Sequence, residues 1–167
     1  MSFVSVLLTV LLNSTTPSNS ATLLNSTTLS NSAAVLAEDG RLAAAEAFFE
    51  RYQELLQAFD PEVIDQYSDD ARIVNVRRYP GDLPDRTLEL TGAQYKDLAR
   101  GAMPMAKERG DVSRYSELTY SLEGERVRIR ATRYSVLKDY ESPYSALVGP
   151  SEKGSWLIFE EHSESQP

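Results

Sequence analysis

Leu42, Ala45, Phe49, Tyr52, Leu56 and Phe59 recur every three or four residues, and Phe48 and Leu55 widen the stripe. This is one apolar face of a helix, predicted over 39–58. Asp60-Pro61 opens a short second helix with Val63, Ile64 and Tyr67 inward, and Ser68-Asp69-Asp70 is expected to end it. Arg72–Tyr79 reads as a strand, 80–85 as loop and Thr87–Leu90 as a second short strand. Thr91 and Gln94 then stand at capping-box spacing, which starts a third helix through Tyr95, Leu98, Ala99 and Ala102. Pro104 should kink or end that helix, and Gly110 closes the segment.

The remainder is strand. Two alternating runs, 112–122 and 125–136, flank Glu123-Gly124, a two-residue hairpin signal. That turn places Leu118 opposite Ile129, Tyr120 opposite Val127, Glu117 opposite Arg130 and Thr119 opposite Arg128, with one apolar and one polar face. Two further strands follow, at about 144–148 and 155–162. The pattern thus predicts an α+β fold: three N-terminal helices packed on a curved, mostly antiparallel sheet that closes a cone around a pocket.

Charge divides the chain. All 17 Lys and Arg and all 25 Asp and Glu lie from Glu38 onward, with none in residues 1–37. The expected organisation is a leader over 1–37 and one domain over 38–167. The leader holds an apolar run, Phe3–Leu12, too short to span a membrane but suited to a signal-peptide core. A duplication follows, Leu11–Thr22 and Leu23–Ala34, identical at ten of twelve positions. Val35-Leu36-Ala37 has the small-residue pattern of a cleavage site. Export, periplasmic or secreted, is the expectation; a translation start mis-assigned upstream would instead leave the domain cytoplasmic. The net charge of −8 disfavours nucleic acid, whose binding rests on basic patches. Without cysteine, and with a single histidine, no metal site or cofactor is expected.

Three segments carry a family resemblance: Phe48-Phe49-Glu50-Arg51-Tyr52, Tyr67-Ser68-Asp69-Asp70-Ala71, and the terminal run Gly154-Ser155-Trp156-Leu157-Ile158-Phe159-Glu160-Glu161-His162. In their order and spacing the chain resembles the nuclear transport factor two-like (SnoaL-like) superfamily, with its cystatin-like cone fold, over about 39–163. The resemblance implies a pocket and, commonly, a homodimer formed through the sheet; it does not imply a reaction. In the isomerase branch Tyr52 would stand at the oxyanion-donor position, and the general base would fall five residues after Asp70. That residue is Asn75, an amide that cannot take the proton, so steroid-type isomerisation is not expected.

The pocket candidates are Tyr52, Asn75, Tyr95, Arg114, Arg133 and His162. Arg114 and Arg133 are opposed on the apolar face in the predicted register, and like charges so placed need compensation. Either they hold an anionic ligand at the cavity mouth, or they lie past the covered face or pair with Glu. His162, with Glu160 on its side of the strand, is either an acid/base pair or part of a fraying end. Arg126, Arg128 and Arg130 alternate on the other face and read as solvated and ion-paired. The expected function is binding of a small acidic or apolar ligand. The alternatives are a SnoaL-like cyclase or dehydratase, and a protein-interaction domain whose pocket is filled by aromatic side chains.

Overall fold

The computed structural model describes residues 29–167. The elements run α1 (Leu29–Ala58), a 3-10 helix (Pro61–Gln66), β1 (Tyr67–Arg77), β2 (Arg86–Thr91), α2 (Gly92–Arg109), β3 (Ser113–Glu123), β4 (Arg126–Ser135), β5 (Tyr140–Pro150) and β6 (Trp156–Ser165). The strands form one six-stranded sheet in the order β2-β1-β6-β5-β4-β3. Every pairing is antiparallel except that of β1 with β6. No helix among the described residues is long and apolar enough to cross a membrane.

The apolar stripe of α1 does what its spacing implies. Ala45, Phe49, Tyr52 and Leu55 are buried, and Leu42, Phe48, Leu56 and Phe59 pack against the same core. The helix begins ten residues before the predicted start and runs across the break in charge at Ala37/Glu38. Ala33, Ala34, Leu36 and Ala37 favour helix whether or not charges accompany them. Phe3–Leu12 and the first copy of the duplication lie outside the described residues, and the cleavage-like tripeptide lies within α1.

Three local expectations change. Ser68-Asp69-Asp70 belongs to β1 and does not end a helix. Asp60 caps the 3-10 helix by accepting from the Glu62 amide at 2.9 Å, and Tyr67 is already extended. The helices number two α-helices and this one 3-10 turn among the described residues, and α2 lies between β2 and β3, not before the sheet. Its Thr91/Gln94 capping box forms as predicted, but α2 continues through Pro104 to Arg109. Pro104 faces solvent, where water can serve the carbonyl it leaves unbonded. Met103 and Ala106 on either side are buried and hold the helix down. Gly110, left-handed at φ 62°, closes it.

The largest change concerns the β3–β4 hairpin. Its turn is Gly124-Glu125, with Glu123 opposite Arg126, so the register lies two residues from the predicted one. Gly124 has φ 63° while Glu125 stays negative, which suits a turn needing a left-handed residue only at its first central position. A two-residue slip preserves the faces: Tyr120 now opposes Ile129, Leu122 opposes Val127 and Thr119 opposes Arg130. Beyond it, Ser116 pairs with Thr132 but Thr119 with Arg130, so β3 carries one extra residue, with Glu117 at φ 54°. That bulge reverses the alternation. Tyr115, not Arg114, opposes Arg133, and Arg114 is exposed opposite Tyr134. The expected Arg114/Arg133 pair therefore does not exist, and neither does Glu117/Arg130.

The inner face of the sheet is graded along the strands. At one end lie Val127, Val148 and Ile158, all fully buried. Next come Ile73, Glu161, Ala146 and Ile129 in one cross-strand row, then Asn75, Ser163, Tyr144 and Ala131. Arg133 and its neighbours Ser142 and Tyr115 come last. Polarity thus rises toward one end, and the site lies there. On the outer face Arg128 pairs with Glu160 at 2.8 Å and with Glu123 at 2.9 Å, as expected of a solvated, ion-paired face. Arg126 instead stacks 3.5 Å over the Phe159 ring.

Candidate functional site

Six aromatic rings fill the space between α1, α2 and the sheet. Phe49 stacks on Tyr52 at 5.6 Å and meets Tyr115 edge-on at 5.3 Å; Tyr67 lies 4.6 Å from Tyr95, and Tyr115 lies 4.8 Å from Tyr144. Rings at these separations gain from offset and edge contacts as well as from burial. The hydroxyls are organised as well. Tyr67 donates to Glu161 Oε2 at 2.5 Å, Tyr144 donates to the same oxygen at 3.3 Å, and the Tyr67 and Tyr52 hydroxyls bond at 2.7 Å. A chain of hydroxyls thus runs from α1 to a carboxyl on β6.

Glu161 reaches the interior through a second bulge. Leu147 pairs with Glu160 while Val148 pairs with Ile158, so Phe159 is an extra residue in β6. Simple alternation from the buried Ile158 would point Glu161 outward; the bulge turns it in, to 4% exposure. Burial raises its pKa above the usual carboxylate range, against the opposing effects of the Tyr67 hydroxyl, Arg133 and the Tyr144 hydroxyl. Burial likewise pushes the Tyr52, Tyr67, Tyr95, Tyr115 and Tyr144 phenols up, with Glu161 as the next cause. All five stay protonated donors across the physiological range.

These groups border a cavity of about 40 Å³ lined by Tyr52, Tyr95, Asp111, Arg133, Tyr144 and Glu161, with Leu56, Tyr115 and Ser163 among the other walls. The space admits on the order of three water-sized groups. Arg133, 4% exposed, donates to the Ser142 hydroxyl at 3.3 Å, the Tyr140 hydroxyl at 3.2 Å and the Glu164 carbonyl at 2.6 Å. Asp111 is 8% exposed, and its Oδ2 has no hydrogen-bond partner among the described residues. Burial raises its pKa too, opposed by Arg133, Lys138 and Arg109.

Of the residues singled out from the sequence, Tyr52, Tyr95 and Arg133 meet on this cavity. Asn75 is buried beside it, with its amide fully used. It donates to the Ser163 hydroxyl at 3.0 Å and carbonyl at 3.2 Å, and accepts from Ser165 at 2.8 Å. It ties β1 to β6. His162 is exposed on the outer face, in a shallow groove with Val74, Val76 and Pro143. Arg114 is at the surface. Sequence reasoning missed Glu161, Asp111, Tyr67, Tyr115 and Tyr144 as a group. The available signals were Tyr67, already counted as inward-facing, and Tyr144, which alternates with Ala146 and Val148 along β5; Tyr115 and Glu161 depend on the two bulges, and Asp111 on the turn after α2.

Glu161 gives a direct test. A carboxyl whose folded pKa lies above its unfolded value contributes stability that is complete below the unfolded pKa and is lost as pH rises through the folded one. Glu161→Gln should therefore be less sensitive to rising pH than the wild type. The stability difference should favour Gln increasingly as pH rises above the ordinary carboxylate range, measured by chemical denaturation. A difference constant with pH would show that Glu161 does not titrate differently in the fold.

No family sequence model matches the chain, and no curated protein sequence does either. Solved structures match with high confidence. An NTF2-like protein with a cystatin-like fold from Novosphingobium aromaticivorans has a TM-score of 0.57 at 16% identity, over 83% of this chain and 90% of that one. An NTF2-like protein of unknown function from Pseudomonas putida also has a TM-score of 0.57, at 14% identity over 75% and 87%. A candidate dehydratase of the NTF2-like family from Streptomyces avermitilis has a TM-score of 0.54, at 11% identity over 77% and 97%. At these identities the likeness concerns the fold.

Proposed function

We propose that this domain, whose fold is that of the NTF2-like, cystatin-like proteins, binds a small polar molecule in the cavity between α1, α2 and the inner face of the sheet. The observation that carries this reading is the convergence of polar groups on one buried space: Glu161, Asp111, Arg133 and the tyrosine hydroxyls. A core that only needed filling would be served better by apolar residues, since each buried polar group costs free energy unless it is bonded. The test is a thermal-shift screen of the full chain against small polar compounds. Ligand binding to the native state raises the melting temperature by mass action. Stabilising compounds should lose most of their effect in both Tyr95→Phe and Glu161→Gln. If they act equally on both variants, this cavity is not their site.

A second reading is favoured by one observation, a buried carboxyl of raised pKa on the cavity wall. It makes the domain an acid/base enzyme of the SnoaL-like cyclase or dehydratase kind, with Glu161 exchanging the proton and the tyrosines orienting the substrate. Asn75, with its amide engaged, and His162, on the opposite face, take no part. A turnover assay on any ligand found separates the two readings, since binding without conversion leaves the first.

Two further elements belong to the proposal. Export rests on the Phe3–Leu12 run and the charge-free leader, and cleavage after Ala37 would leave the buried part of α1, from Ala45 on, intact. N-terminal sequencing that returns Met1 would remove it. Homodimerisation through the outer sheet face rests on the groove formed by Val74, Val76 and Pro143. A monomer mass in sedimentation would remove that.

A further inference from the structure

We infer that the cavity takes a small neutral ligand carrying at least two hydroxyl groups, one donating to Asp111 Oδ2 and another to Glu161. This rests on the binding reading above and names its ligand class. The observations are of two kinds, open acceptors and balanced charge.

Asp111 Oδ2 is a buried carboxyl oxygen on the cavity wall with no hydrogen-bond partner among the described residues. A buried polar atom left in that state forfeits the hydrogen bonds it would make to water, so a donor should reach it. At Glu161 the hydroxyls of Tyr67 and Tyr144 both converge on Oε2, and no hydrogen bond reaches Oε1 among the described residues. Tyr95 and Tyr115 also border the space, and a phenol hydroxyl donates as readily as it accepts. The walls therefore offer acceptors and donors together.

Charge selects against both kinds of ion. An anion would face two carboxyls, while the guanidinium of Arg133 is turned to Ser142, Tyr140 and the Glu164 carbonyl. A cation would sit beside Arg133, with Lys138 and Arg109 also close enough to act on Asp111. At short range in a buried site such like-charge contacts are costly. A hydroxyl donates one hydrogen bond and accepts others without net charge, so it meets both sets of walls. The volume of about 40 Å³ suits a compound of a few heavy atoms. This replaces the acidic ligand expected from the sequence, which depended on the absent Arg114/Arg133 pair.

The test is a ¹⁵N NMR titration of the full chain at pH 7 with three probes of similar size: ethane-1,2-diol, acetate and ethylammonium. The diol should give saturable shifts at the amides of Asp111, Ser113 and Ser163, and bind at least about tenfold more tightly than either ion. Asp111→Ala should weaken the diol about tenfold. Asp111→Asn, which keeps an acceptor oxygen, should retain most of the affinity and guards against a folding defect in the Ala variant. Tighter binding of acetate or ethylammonium overturns the ligand class while leaving the cavity as a binding site. Diol binding that is indifferent to Asp111→Ala overturns the placement. If no probe gives saturable shifts at these amides, the binding reading falls with the inference.

Discussion

Truncating Phe49 to Ala is expected to cost about 3–5 kcal/mol of stability, the range for removing a buried aromatic ring. Phe49 is fully buried on α1, and its ring touches those of Tyr52, Tyr115 and Tyr144. It is the contact through which the first helix holds the rings that border the cavity. A domain of this size has only about 5–15 kcal/mol in total, so the variant should approach the limit of folding. Equilibrium urea denaturation with an unchanged slope would measure the loss cleanly. A cost below about 1 kcal/mol would mean that α1 is not anchored through this ring. A second reading of the same variant follows from its position. Because the tyrosines lean on Phe49, any ligand affinity should fall along with stability, even at temperatures where the variant stays folded.

Gly92→Ala is expected to be as damaging for a purely geometric reason. A Cβ at Gly92 would lie 1.8 Å from the Ser68 carbonyl oxygen and 2.9 Å from its carbon. Those atoms are backbone in β1, so they cannot rotate aside as a flexible side chain would. Either α2 lifts from β1 or the strand bends, and the cost should reach or exceed the upper end of the about 1–3 kcal/mol usual for overpacking. Gly101→Ala, nine residues further along the same helix, provides the internal control. Beyond its own stretch of helix backbone, no heavy atom lies within 4 Å of its added carbon, and replacing glycine in a helix interior should stabilise by about 0.5–1 kcal/mol. Thermal or urea denaturation of the two variants should therefore give shifts of opposite sign. A Gly92→Ala protein within 0.5 kcal/mol of wild type would show that α2 does not seat on β1 this closely.

Much of this architecture was legible in the sequence because it is written in local signals. The stripe on α1, the helix start at Asp60-Pro61, the Thr91/Gln94 capping box and the Gly110 terminus each need only a few neighbouring residues, and each appears as read. The resemblance to the nuclear transport factor two-like superfamily agrees with the solved structures of that fold. The site was less legible, and the reason is specific. Alternation along a strand predicts faces only while the count is unbroken, and two of the four strands that line the cavity carry an inserted residue. At Glu117 the insertion put Arg114 outside and Tyr115 in; at Phe159 it turned Glu161 inward. No composition rule marks either position. Glu117 in particular adopts a left-handed conformation that its residue type does not advertise. Asn75 was located correctly beside the cavity, but its role as a tether between β1 and β6 required knowing that Ser163 and Ser165 lie against it.

The single extra residue at Glu117 has a consequence beyond its own strand. Removing its codon would close the bulge and leave Tyr115 opposite Arg133, whereas removing Ser116 with the bulge kept would set Arg114 there instead and turn Tyr115 outward. The chemical character of the interior is therefore set by strand length as much as by side-chain identity. Libraries of one-residue deletions and insertions in β3 and β6 would sample charged, aromatic and hydroxylated interiors that point substitution reaches only through several coordinated changes.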